Sequence, residues 1–489
     1  MTPTTQAPVI VWLRRTLRLA DNPVLAAAVA TGRPVVPVYL HTPKANEPFA
    51  LGAASAVWLH HSLTHLSASF AAVGAPLVLR QGDSAVTLLT QLATETNAHA
   101  IFFDKRIEAP HQAEEQALAQ ALPHLHVQGW FTNLLVEPRQ VLNATSGEVY
   151  KVFTPFWKAA TKVLNPPEPL PAPAVVQGLN PLPVSLRVDE LGLLPATLSW
   201  HHGLEASWTI GEAAAQQRWA GFKAKAIGSY YEERNIPSVA GTSQLSPHLH
   251  FGEISPRQLW HDVCQGQPYT ALPKDPQHYL SELGWREFAH QLLAAYPTLA
   301  TEPLNPKFNA FPWRNPATDP ETAELFSRWC KGQTGYPIVD AAMRQLWHTG
   351  WMHNRTRMIV ASFLVKHLLI DWRAGERWFW DTLVDADPAN NVLSWQWVAG
   401  CGADAAPYVR VFNPVLQSQK FDPKGAYIRR WVPELAKLTN SQCHEPWLLK
   451  PLEARLAGVV LGETYPWPVV DHIKGRDAAL AAYDVIKGT

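Results

Sequence analysis

At 489 residues the chain exceeds the size at which one hydrophobic core keeps growing, so two or more domains are expected. Hydrophobic residues make up 47% and charged ones 17%, while Lys+Arg and Asp+Glu are both 41, leaving no net charge. This is a globular composition without a bulk polyanion-binding signature, so any contact with nucleic acid has to be a local patch.

The opening M-T-P-T-T-Q-A-P has no basic-then-apolar leader. The longest apolar run, 358–370, is interrupted by Lys366 and His367 and is too short to span a bilayer. Cys264, Cys330, Cys401 and Cys443 are far apart and form no C-x-x-C pair, which fits free thiols in a reducing compartment rather than a disulfide framework or a zinc site. A cytoplasmic protein with no membrane segment and no metal is expected. The 21 tryptophans lie mostly after residue 200; cores, stacking platforms and electron transfer all use this residue, and core packing is the default for any one of them.

In chain order, short apolar runs at Val9–Leu13, 35–40 and 77–79, with weaker ones at 101–103 and 126–128, alternate with helix-period stretches at 22–30, 53–73 and Ala85–Thr96. Strands spaced by helices imply a doubly wound, Rossmann-like parallel sheet. No G-x-G-x-x-G follows the first strand; Arg14, Arg15 and Arg18 stand there instead. From 165 to 195 prolines exclude regular structure and mark a long extended connection. Thereafter 210–229, 256–265, 279–295, 321–330, 338–349, 355–370 and 374–383 have helical spacing, giving an all-helical second domain. The expected domains are 1–135, a linker at 136–207, and 208–489.

Four constellations could carry chemistry. A-G-T-S-Q-L-S at 240–246 could hold a diphosphate through N–H and O–H donors, or be an ordinary helix cap. Helical spacing puts Glu282, Trp285 and Arg286 on one face, where they could bind a base or form a surface ion pair beside a core tryptophan. Arg355 and Arg357, two apart, point to different faces, so one can reach a phosphate while the other pairs with an internal carboxylate. The run V-D-A-D-P-A-N-N-V-L-S-W-Q-W-V-A-G at 384–400 mixes acids, amides and tryptophans, as in a site for a planar polar ligand or in a polar loop closing a helix pair. G-C-G-A-D-A at 400–405 matches G-x-G-x-x-A but lacks a strand–turn–helix setting.

Taken with W-L-R-R-T-L-R-L-A-D-N-P at 12–23, T-G-Y-P-I-V-D-A-A-M-R-Q-L at 334–346, G-W-M-H-N-R-T-R-M at 350–358 and D-A-D-x-x-x-N-x-x-x-W-Q-W at 385–397, these stretches are ordered as in one family. Over nearly its whole length the chain resembles the photolyase/cryptochrome flavoproteins, most closely the class I cyclobutane pyrimidine dimer photolyases. The resemblance implies an α/β antenna domain, a linker and a helical domain holding FAD, with a second antenna chromophore (folate, deazaflavin or flavin) left open. It implies light-driven repair of dimers flipped out of UV-damaged DNA, by a monomer.

Carried over residue by residue, the resemblance puts Tyr230, Thr242, Ser243, Gln244, Leu245 and Ser246 at FAD, the loop at its phosphates. Asp385, Ala386 and Asp387 line the flavin and ribityl chain, Arg357 pairs with Asp385, and Arg286 also meets the cofactor. Asn391 sits by flavin N5. Trp395, Trp372 and Trp313 form the electron chain. Glu282, Trp285, Arg286, Met358 and Trp397 shape the substrate pocket, and Arg234, Asn354, Arg355 and Gln417 hold the DNA backbone.

Some positions depart from the family. Thr16 stands where aspartate is usual, and Val392-Leu393-Ser394 is nearer the plant-cryptochrome spacing, although Asn391 is the repair-enzyme residue at that position. A (6-4) photoproduct enzyme would carry two histidines where this chain has Asn354 and Met358. A signalling cryptochrome often has a long C-terminal extension, whereas this chain ends soon after Trp467; the repair reading is therefore the one expected.

Overall fold

The computed structural model describes residues 6–43 and 49–487. Val9–Leu13 (β1), Val35–His41 (β2), Val78–Gln81 (β3), Ala100–Asp104 (β4) and His126–Trp130 (β5) form one parallel sheet in the order β3-β2-β1-β4-β5. All five sequence-predicted strands form. β1 is central and every one of its residues is buried, as an apolar run must be when helices cover both faces of a parallel sheet. On one side Ile10, Trp12, Val36, Val38 and Ile101 meet Leu89 and Leu92 of the Ala85–Thr96 helix and Leu118 of the Ala109–Ala121 helix.

The arginines after β1 act structurally. The backbone N–H groups of Arg14 and Arg15 donate to the Asp104 carboxylate at 2.9 and 2.8 Å. Arg18 is fully buried and donates to the carbonyls of Asp21, Thr132 and Gly252 at 2.8–3.0 Å, burial lowering its pKa to about 10. Thr16, the departure from the family pattern, shares a buried hydrogen bond with Thr132.

Two corrections concern the connection. An eleven-residue helix, Phe153–Val163, lies inside the stretch read as linker, and a 3-10 turn at Val188–Leu191 interrupts the segment from which prolines were expected to exclude regular structure. The extended part does run along the sheet: Val35 N–H donates to Gln177, Gly178 to Gly74, and Leu186 to Leu79 of β3. At Gly178 a Cβ would come within 2.5 Å of the Gly74 carbonyl, so glycine is required by the close approach.

The chain divides into two compact units. One comprises Met1–Ser199, Thr209–Lys225 and Gln244–Pro297; the other Trp200–Trp208, Ala226–Ser243 and Thr298–Thr489. The first contains the sheet and the helices Pro256–Cys264 and Lys274–Ala295. The second is helical, with a core running from Phe308 through Trp329, Phe363 and Trp372 to Ile486. The helix expected over 355–370 ends early: an α-helix Asn354–Ser362 gives way to a π-helical turn Phe363–His367. Beyond it Leu369 adopts a positive φ of 55°, and its carbonyl takes the N–H of Arg314. All four cysteines are buried and unpaired. Among the described residues no helix is long and apolar enough to cross a membrane.

Candidate functional site

In the second unit, Asp385 and Asp387 stand on the turn before the helix Pro388–Ala399 and are nearly buried. Asp387 is its N-cap: Oδ1 accepts from the Asn390 backbone at 2.9 Å, and Pro388 fixes the first helical φ. Arg357, on the Asn354–Ser362 helix, makes a two-pronged contact with Asp385 at 3.1 and 2.7 Å, and its Nε donates to the Met352 carbonyl at 2.7 Å. The guanidinium is thereby spent on a buried carboxylate. Ala386 is buried between the two acids.

The side chain of Asn391 is oriented by a residue that the sequence reading missed. Its Nδ2 donates to Glu376 Oε1 at 2.8 Å and to the Glu376 carbonyl at 3.2 Å, so Oδ1 faces the other way as an acceptor. Burial pushes the Glu376 carboxyl up to about 7. In sequence it is one acid in W-R-A-G-E-R, on a helix with exposed charged positions, and nothing in the spacing singles it out. Gln396 is a second such residue. Buried between Trp395 and Trp397, it donates to the carbonyls of Leu299 and Glu302 at 2.7 and 2.9 Å and accepts from Leu304 N–H at 3.0 Å. The middle of W-Q-W is therefore a structural clamp.

Trp395 and Trp372 are almost wholly buried and Trp313 is half-buried. Among the described residues, none of their indole N–H groups has a hydrogen-bond partner. Leaving such a donor unpaired in a core costs about 1–3 kcal/mol. Trp395 packs edge-on against Phe379 and Trp329, with centroids 5.0 and 6.3 Å away, and lies so close to Gly375 that a Cβ there would be 2.2 Å from its ring. Trp313 sits 4.1 Å from Phe311. The discarded G-C-G-A-D-A match is the C-cap of the same helix: Gly400 has φ 78°, and the N–H groups of Cys401 and Gly402 return to the Gln396 carbonyl.

Arg355 points away from Arg357. Its Nη2 donates to Asn235 at 2.5 Å, Nη1 to the Met358 sulfur at 3.6 Å, and the guanidinium lies 4.4 Å over Phe421. Asn354 is exposed, whereas Met358, Trp397 and Gln417 are half-buried. Tyr230 is buried with the Arg234 guanidinium 5.3 Å over its ring. Thr242 and Ser243 follow Gly241, where a Cβ would come within 2.6 Å of the Glu233 side chain.

In the first unit, Gln244 has a positive φ of 51° and accepts from Arg218 at 2.8 Å. Leu245 is the N-cap of a short helix, Ser246–Phe251. Glu282, Trp285 and Arg286 share one half-buried face of the Lys274–Ala295 helix, as the spacing predicts. Trp285 stacks on Phe153 at 3.9 Å and 9°, a partner the sequence reading missed because Phe153 was assigned to linker. Arg286 pairs with the buried Glu287 at 2.8 Å, whose other oxygen caps the N–H groups of Leu135 and Val136.

Residues 279–485 match the family model for the FAD-binding domain of DNA photolyase, and residues 9–174 match the DNA photolyase model. The chain belongs to the photolyase/cryptochrome family. It is 47% identical over 99% of both chains to a deoxyribodipyrimidine photo-lyase of Agrobacterium fabrum. It is also 35% identical to cryptochrome-1 of Arabidopsis thaliana, covering 96% of this chain and 69% of that one. A solved bacterial class III photolyase from Agrobacterium tumefaciens superposes with a TM-score of 0.93 at 45% identity, over the full length of both chains. Class I was the expected branch, whereas this similar structure is of a class III photolyase.

Proposed function

We propose that this family member is a deoxyribodipyrimidine photo-lyase that uses FAD and light to split cyclobutane pyrimidine dimers in DNA. The carrying observation is the segment Asp385–Trp395: two near-buried carboxylates, an oriented amide and the buried indole of Trp395 come together at one capped helix. That donor and acceptor set fits a flat, polar heterocycle with a sugar-alcohol chain. Asp385, Ala386, Asp387 and Asn391 would help hold FAD, which when bound would supply light-driven electron-transfer chemistry toward the dimer.

The chain's own residues have separate tasks in this reading. Asn391, its amino group held by Glu376, presents Oδ1 as an acceptor for a ring N–H at flavin N5, and Glu376 keeps a proton beside it near neutral pH. Arg357 holds the Asp385 carboxylate in place through its two-pronged contact. Tyr230 and the 242–246 loop contact the cofactor, the loop at its phosphates. Glu282 hydrogen-bonds a thymine carbonyl, while Trp285 and Trp397 stack on the flipped bases, each such stack contributing roughly 1–3 kcal/mol. Trp285 already has Phe153 on one face, which fixes its plane before substrate arrives. Arg286 is shared between pocket and cofactor, and Met358 lines the pocket. Arg234, Asn354, Arg355 and Gln417 contact the backbone. The burial order Trp372 and Trp395 inside, Trp313 outside, supports a relay from core to surface.

We further assign the protein to class III, as a cytoplasmic monomer with antenna, linker and catalytic regions at 1–135, 136–207 and 208–489. A second chromophore of the folate, deazaflavin or flavin type is read from the absorption spectrum of the purified protein. The deciding experiment illuminates reduced protein with dimer-containing oligothymidylate under blue light. Dimers should disappear in the light and persist in darkness. Persistence in both would promote a photoreceptor role, which the 35% identity to cryptochrome-1 supports. The (6-4) reading is disfavoured by Asn354 and Met358.

A further inference from the structure

The segment entering the second unit's helices carries a cluster that the photochemistry does not use. His201 precedes a short helix, His202–Ser207, and Glu205 lies one turn further on. One ligand atom from each of His201, His202 and Glu205 lies within 4.8 Å of the other two. The two imidazole centroids are 4.8 Å apart, and His201 Nε2 is 3.8 Å from Glu205 Oε2, too long for a hydrogen bond. His201 is only 9% exposed, and its Nδ1 is buried with no hydrogen-bond partner among the described residues.

On the opposite face of the same turn, two positions from both His201 and Glu205, Gly203 packs against His348. A Cβ on Gly203 would come within 2.5 Å of the His348 carbonyl and 2.8 Å of its Nδ1. Glycine inside a helix costs about 0.5–1 kcal/mol relative to alanine, so its presence here is explained by letting His348 approach.

We propose that His201, His202 and Glu205 form a three-ligand binding site for a divalent transition-metal ion of the zinc class. Two imidazoles and one carboxylate suit zinc, nickel or copper, whereas calcium and magnesium take oxygen shells. Ligand atoms around a tetrahedral ion at about 2.0–2.2 Å are about 3.4 Å apart, so the cluster has to contract by up to about 1.4 Å. The exposed His202 and partly exposed Glu205 can swing to do this, while His201, only 9% exposed, is the fixed anchor.

The test uses untagged, full-length protein stripped by a chelator. Titration with Co2+, followed by its visible ligand-field absorption, and with Zn2+ by calorimetry, should show one saturable equivalent. H202A and E205Q should each weaken binding by about tenfold or more. Both positions are solvent-accessible on a six-residue helix and lie outside the proposed flavin and DNA residues, so repair and circular dichroism should stay at wild-type levels. Absence of saturable binding, or binding unchanged in the H202A/E205Q double variant, would overturn the site.

Discussion

Asn391 and Glu376 show how one buried hydrogen bond fixes which end of an amide a ligand meets. Because burial raises the Glu376 carboxyl to about 7 from an ordinary value near 4.5, the folded protein keeps a proton that the unfolded chain has already released between those values. Stability should therefore fall as pH rises through that window, by up to about 3 kcal/mol for this group. His353 and His367, each lowered to about 3 by burial, act oppositely below pH 6.5, so the comparison has to be differential. In urea unfolding at pH 5 and 8, Glu376→Gln should be more stable relative to wild type at pH 8 than at pH 5; an equal difference at both would remove the raised carboxyl. Arg357→Met should strand Asp385 and cost about 2–3 kcal/mol, less than a fully buried pair because the Arg357 side chain is 24% exposed. The Arg357–Asp385 pairing was legible through the family resemblance; spacing alone left open which arginine would meet an internal carboxylate. Glu376 was not, since an acid on a mixed helix is ordinarily solvated.

Among the elements, β1 to β5 were legible because short apolar runs between turn residues have few other uses. The helix Pro388–Ala399 was hidden for the opposite reason: site residues occupy the positions where an apolar stripe would show. Its place depends on Gly375, whose missing Cβ makes room for the Trp395 indole on the neighbouring helix Trp372–Thr382. Gly375→Ala should cost at least about 2 kcal/mol by overpacking, against the usual gain of alanine over glycine in a helix. Chemical denaturation measures the loss, and a changed tryptophan emission would locate it at Trp395. The π-helical turn at 363–367 left no mark in the apolar spacing of 355–370, because the backbone contact that ends that helix comes from Arg314, far away in sequence.

At the scale of the whole molecule, composition reveals the proline-rich connection, whereas the compact units are discontinuous in sequence. Packing that recruits residues 244–297 to one unit and 226–243 to the other has no compositional trace. Two predictions belong here. Trp313→Phe should slow photoreduction of oxidised cofactor while pre-reduced enzyme repairs dimers normally; loss of both would remove the relay assignment. With zero net charge on the chain, DNA affinity should rest on a local patch and fall with salt. Arg355→Ala should lower affinity and flatten that salt slope by about one contact, and an unchanged slope would take Arg355 out of the patch.

The strap along β3 has a consequence for behaviour in a crowded cell. β3 is an outer strand of the sheet, and an open outer strand can template pairing with another chain. Here Leu79 donates to the Ser185 hydroxyl and accepts from Leu186 N–H, so the connecting segment occupies part of that rim. Pro181 and Pro183, just upstream, have no N–H to offer an incoming strand. The connection thus shields the rim against edge-to-edge aggregation while its prolines deny the next chain a ladder to extend.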